Sequence, residues 1–151
     1  DDIFLTFNYT ETLEDLYEVN KESVCHIHGR QGKNILFGHG DANDYTNEYM
    51  RKKIGSENSL TELNNFLKKD TKKALEDNKQ FFDGINNTIR EVYSIGFSFA
   101  CVDLIYIREI CEKLPDNAVW YLNKFNPNDI PIFKKKLKEC GFKGSFSTFI
   151  I

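Results

Sequence analysis

Three histidines and a short run of strand-end polar residues carry most of the chemistry that this 151-residue sequence can offer. The run Phe4-Leu-Thr-Phe-Asn-Tyr-Thr10 presents Thr6, Asn8 and Thr10 where an extended segment gives way to a helix. An Asn amide at such a turn can fix a ribose hydroxyl or position a water, and unpaired N–H groups at the helix start attract phosphate. Asn and Thr are also ordinary helix N-caps. His26 and His28 stand two apart in an extended run, which predicts that both point to the same side. An imidazole titrating near its ordinary value of about 6.5 accepts a proton at neutral pH, so His28, with Gly29 behind it, is the candidate general base. His26 reads both as a pocket residue and as a hydrogen-bonded core histidine. His39 lies between Gly38 and Gly40, where backbone can approach a ligand closely.

Later in the chain, Gly96-Phe-Ser98 ahead of an apolar helix has the form of a phosphate- or ribose-binding turn. Ser98 can cap that helix and Asp103 falls in its early turns. Asn123, just after Trp120-Tyr-Leu122, is a further strand-end candidate, with a plain loop role equally open. His26, His28, His39 and Asp41 together could bind a transition metal. The usual metal-hydrolase signatures are missing, however, and the four cysteines form no Cys-x-x-Cys pair, so no metal is expected.

These residues need a scaffold, and hydrophobic patterning predicts one. Ile3–Phe7 reads as a strand buried on both faces. A helix follows, with Leu13, Leu16 and Tyr17 inward and Glu11, Glu14, Asp15 and Glu18 outward. Ser23–His28 and Asn34–Phe37 read as further strands. Residues 44–91 are polar and mostly helical, an expected insertion or lid, with one helix marked by Tyr45, Tyr49 and Ile54. A second is marked by Leu60, Leu63, Phe66 and Leu67, and a third, or a continuation of the second, by Phe81, Phe82, Ile85 and Ile89; Gly55–Ser59 is the expected break between the first two. Val92–Ile95, Ala118–Leu122 and Ser145–Ile151 read as strands, separated by an apolar helix over Cys101–Lys113 and an amphipathic one over Asp129–Glu139. The second helix turns Ile132, Phe133 and Leu137 inward and stops at Gly141. Alternating strands and helices predict an α/β fold with a mostly parallel, Rossmann-like sheet and helices on both faces. In such sheets ligands gather at the carboxyl ends of the strands, where Asn8, His28 and Gly96–Ser98 fall.

Composition narrows the partners. A net charge of −3 argues against nucleic-acid binding, which draws on a basic surface, and the Lys runs read as solvated helix faces. No apolar stretch approaches the roughly 20 residues of a membrane span, so no membrane partner is expected. Cys25, Cys101 and Cys111 lie in apolar runs and read as buried, reduced thiols, which points to the cytoplasm. The chain opens Asp1-Asp2-Ile3 and its only methionine is Met50, so it reads as a fragment of a longer protein.

Taken in order, Leu5-Thr-Phe-Asn-Tyr-Thr10-Glu-Thr-Leu-Glu14, Val24-Cys-His-Ile-His-Gly29, Leu36-Phe-Gly-His-Gly40 and Ser94-Ile-Gly-Phe-Ser-Phe-Ala-Cys-Val-Asp103 resemble the AbiH-like abortive-infection family of bacterial phage-defence proteins. That family in turn resembles the sirtuin-like NAD-binding fold, in which a Thr-Gln-Asn-Ile-Asp turn contacts the nicotinamide ribose and a His-Gly supplies the base. Thr6, Asn8, His28 and Gly29 match those features, while Phe7 and Thr10 replace the Gln and Asp. Gly96 and Ser98 resemble a Gly-x-Ser turn that touches phosphate and ribose. The resemblance implies the C-terminal part of one sirtuin-like domain over residues 1–151, with NAD or a related nucleotide as ligand or substrate. Asn8 and His28 would be catalytic, with Thr6, Thr10, His26, Gly29, His39, Gly96, Ser98, Asp103 and Asn123 binding the cofactor. It further implies a homo-oligomer in the full-length protein and a phage-derived trigger. The altered turn and the missing Cys-x-x-Cys module argue against protein deacylation and leave NAD hydrolysis, or another nucleotide-hydrolysing activity, open. A glycine-rich upstream loop belongs to the same pattern, and without it the fragment would lack much of its phosphate side. A non-catalytic nucleotide or phage sensor is the alternative, and a metal-dependent phosphohydrolase the third reading.

Overall fold

A computed structural model describes residues 2–39, 55 and 57–151. The expected helix around Tyr45, Tyr49 and Ile54 lies outside these residues, as do Gly40 and Asp41. The chain forms two compact units, Asp1–Asp77 and Asn78–Ile151.

In the first unit, β1 (Phe4–Thr6) and β2 (Val24–His26) pair in parallel, with Phe4 opposite Val24 and Thr6 opposite His26. The crossover between them holds α1 (Thr12–Tyr17) and a 3-10 turn at Lys21–Ser23. β2 is buried along its length, but β1 is only half-buried, unlike the doubly covered strand that its sequence predicts. The α1 register is also corrected. Leu16 and Tyr17 are 74% and 72% exposed, whereas Glu14 is buried. A helix of six residues is too short for apolar periodicity to fix its orientation, and an ion pair to Glu14 does so instead. Asn34–Phe37 is not a strand; among the described residues one antiparallel bridge, Gly29 to Ile35, forms there. α2 (Glu57–Phe66) and α3 (Thr71–Asp77) follow, so helix begins inside the expected Gly55–Ser59 break. Leu63 and Phe66 of α2 stay exposed.

The second unit opens with α4 (Lys79–Gly84) and then forms a three-stranded parallel sheet in the order β3 (Glu91–Ser94), β4 (Val119–Asn123), β5 (Ser145–Phe149). The crossovers are α5 (Leu104–Lys113), after a 3-10 turn at Cys101–Asp103, and α6 (Ile130–Glu139). Val92, Trp120 and Phe146 stand abreast in the register, as do Ser94, Leu122 and Thr148. Trp120, Leu122, Tyr106, Phe82, Phe99 and Leu137 are the fully buried core of this unit. Much of its aromatic content is therefore packing. Phe99 meets Phe97, Trp120 and Phe133, and Phe142 packs edge-on against Trp120. The one polar atom of Trp120 is satisfied, its Nε1–H donating to Ser94 Oγ at 2.7 Å. Ile132 of α6 is exposed rather than inward, Ile130 taking the buried position one turn away from Phe133.

The α/β class with parallel sheets flanked by helices is thus as the alternating pattern predicts. No helix among the described residues is long and apolar enough to cross a membrane. The four cysteines form no disulfide. Burial pushes the Cys25 and Cys111 thiols up to about 12, but Cys101 is exposed, against expectation. It begins the 3-10 turn ahead of α5, outside the helix's buried stripe.

Candidate functional site

Parallel pairing brings the carboxyl ends of β1 and β2 side by side, and backbone hydrogen bonds then fix the loops beyond them. Ile27 N–H donates to Thr6 O at 3.2 Å, extending the ladder past the last paired residues. Asn8 N–H donates to Thr6 Oγ1 at 3.2 Å, closing the turn, and the Asn8 residue is exposed. Gln31 N–H donates to Tyr9 O at 2.7 Å, tying the loop after β1 to the loop after β2. Thr10 and Thr12 share a hydroxyl hydrogen bond of 2.9 Å. A shallow depression of about 460 Å³ opens here, lined by Thr10, Glu11, Thr12, Asp15, Leu16 and Gln31.

Beneath this turn lies a buried ion pair. His26 Nε2 is 2.8 Å from Glu14 Oε1, with side chains only 2% and 1% exposed. His26 Nδ1 donates to the Asn8 carbonyl at 3.1 Å. Burial opposes the Glu14 charge, but the His26 hydrogen bond, Glu14's own backbone N–H and the charges of His26 and Arg30 together hold its carboxyl below the usual value. Both ring nitrogens of His26 therefore face oxygen atoms, Glu14 Oε1 on one side and the Asn8 carbonyl on the other. His26 combines its two readings: it is a core histidine, and it holds the Asn8 turn. Glu14, assigned to solvent from its helix register, is a residue that sequence reasoning missed.

His28 occupies a different setting from His26, past the end of β2. It is 4% exposed, packs edge-on to Phe7 with ring centroids 5.5 Å apart, and accepts from Lys69 Nζ at 3.5 Å through Nδ1. Burial and then the Lys69 ammonium bring its pKa down to about 4, so the ring is neutral at pH 7. Lys69 is the second missed residue, because Lys68-Lys69 reads as an exposed charge run in the sequence. Gly29 makes the turn behind His28 at φ +82°, donating to His26 O at 2.9 Å. A Cβ there would collide with the Asn34 carbonyl oxygen. Gly29→Ala is therefore expected to cost about 2 kcal/mol or more, read as a fall in Tm on thermal unfolding.

His39 donates from its ring Nε2 to the Asn64 carbonyl near the end of α2 at 3.0 Å. Its backbone pairs with the segment carrying Lys69: His39 N–H donates to Leu67 O at 2.9 Å and Lys69 N–H to His39 O at 2.8 Å. No group of three or more metal-type ligands occurs among the described residues. The remaining candidates belong to the second unit. Gly96 follows β3 with φ +62° and open space around a would-be Cβ, and Ser98 is exposed. Neither Ser98 nor Asp103 makes a side-chain cap to the helix that follows, so the expected Ser98 cap is absent. Asn123 is the last residue of β4, not a loop residue.

The family model described as bacteriophage abortive infection AbiH matches residues 1–124. No curated protein and no solved structure matches the chain.

Proposed function

The chain belongs to the bacteriophage abortive infection AbiH family, and from that premise we propose that its first unit binds NAD or a related nucleotide and hydrolyses it. In this reading the fold is sirtuin-like, Asn8 orients the nicotinamide ribose or the attacking water, and His28 is the base. The observation that carries it is the junction of the two strand ends. There an exposed Asn8, braced by Thr6 and His26, stands at the carboxyl end of the β1–β2 pair, and the neutral His28 follows two residues beyond β2. Ligands of parallel sheets collect at such ends, and a base must be unprotonated to act. Gly96, Ser98, Asp103 and Asn123 enter the proposal from the family resemblance alone, as do a phage-derived trigger, a cytoplasmic setting and a homo-oligomer of the intact protein. The test is nicotinamide release from NAD by the intact protein and by Asn8→Ala and His28→Ala. Unchanged release in both variants sinks the mechanism.

A second reading, a sensor that binds nucleotide without turnover, is favoured by one feature. Lys69 Nζ donates to the Nδ1 lone pair of His28, and a ring of low basicity is a weak base. Calorimetry separates the readings: tight NAD binding with no nicotinamide release selects the sensor.

A further inference from the structure

Among the described residues Lys69 has no counter-charge, in a place where one would change the chemistry of its neighbour. Two backbone hydrogen bonds to His39 fix its segment, and the half-buried side chain brings its ammonium to 3.5 Å from His28 Nδ1. Among the described residues Lys69 forms no ion pair, and the adjacent Asp70 carboxylate accepts instead from Lys73 N–H at 2.9 Å. An ammonium only donates, so Nδ1 is the acceptor and the neutral ring carries its proton on Nε2. His28 is also met by the Phe7 ring beyond β1 and, at its carbonyl, by Leu36 N–H at 2.8 Å. Of these three neighbours Lys69 alone is charged.

We infer that Lys69 is the phosphate-recognising residue of the His28 site, and that a phosphorylated nucleotide held by Lys69 releases His28 Nδ1 to accept a proton. The inference rests on the nucleotide reading above and names the residue that reads the phosphate. The ammonium donates to the Nδ1 lone pair and repels a second positive charge on the ring. A phosphate oxygen accepting from Lys69 Nζ offsets that charge and draws the ammonium off Nδ1. The lone pair then takes one proton, from a substrate hydroxyl or from solvent, and the ring becomes an imidazolium. No covalent bond of the nucleotide breaks in this step. A base that is quiet until the phosphate arrives would limit unproductive turnover.

The experiment is calorimetric titration of the intact protein with NAD and with nicotinamide riboside, which lacks the phosphates, together with NMR titration of the His28 imidazole. Lys69→Met is expected to lose about ten-fold or more in NAD affinity and to leave nicotinamide riboside affinity unchanged. Lys69→Arg keeps most of the NAD affinity. The His28 midpoint is expected to move to higher pH in Lys69→Met, and also in the NAD complex of the wild-type protein. Wild-type NAD affinity retained in Lys69→Met, or a His28 midpoint indifferent to both changes, overturns this inference alone. A wild-type protein that binds no NAD, its His28 midpoint still moved by Lys69→Met, overturns the nucleotide reading and this inference with it.

Discussion

His28→Ala is expected to lower nicotinamide release by the intact protein about 10²- to 10⁴-fold, the range supplied by a positioned general base. The fold should survive, because β2 ends before this residue and the turn behind it is made by Gly29 and backbone hydrogen bonds. The pH dependence gives a second, independent reading. His28 titrates near 4 in the folded protein against an ordinary value of 6.5, so the unfolded chain binds the proton more readily. Stability is then full above pH 6.5 and is lost as pH falls from 6.5 toward 4. Replacing the ring with alanine removes that loss. Chemical unfolding at pH 5 and pH 7 should therefore show a smaller difference for the variant than for the wild-type protein. A variant with full nicotinamide release would show that another group accepts the proton.

The other large effect concerns the ion pair beneath the Asn8 turn. Glu14→Ala is expected to cost about 3 kcal/mol in unfolding free energy at pH 7. It leaves His26 with a buried Nε2–H, or a buried charge, and no acceptor. The double variant Glu14→Ala with His26→Phe should recover part of that loss, since an apolar pair leaves no uncompensated charge. The sign with pH is fixed by the direction of the shift. The Glu14 carboxyl sits below its ordinary 4.5, so its contribution is present above 4.5 and fades as pH falls through the lower, folded value. Acid unfolding of the first unit should begin at higher pH in Glu14→Ala. The same variant tests positioning, because the His26 ring it releases is the one that holds the Asn8 carbonyl at 3.1 Å. If stability and NAD affinity are both unaltered, the pair is dispensable.

The strand-end placement of Asn8 and His28 was legible in the sequence, because a β-branched and aromatic run followed by a polar turn has few other readings. The three parallel strands of the second unit and the helices between them were legible for the same reason: α5 and α6 each span ten residues, enough for an apolar stripe to mark the helix, although in α6 Ile130 rather than Ile132 is buried. Short elements were not. Six-residue α1 turned Glu14 inward against its pattern, where its carboxylate meets the buried His26 ring, a contact that local periodicity does not report. Asn34–Phe37, apolar enough for a strand, bridges Gly29 alone among the described residues. Lys69 was hidden for a different reason. Its role depends on a pairing between residues near 39 and 68, far apart in sequence, that no local periodicity reports.

The central claim is that a nucleotide binds where β1 and β2 end, against Asn8 and His28. Its most direct test is an NMR titration of NAD into the intact protein, following the imidazole resonances of His26, His28 and His39. The expected result is a saturable shift of the His28 signals, a smaller one at His26 behind the Asn8 turn, and none at His39, whose ring is tied to Asn64. Saturable NAD binding that leaves the His28 signals unmoved would contradict the account.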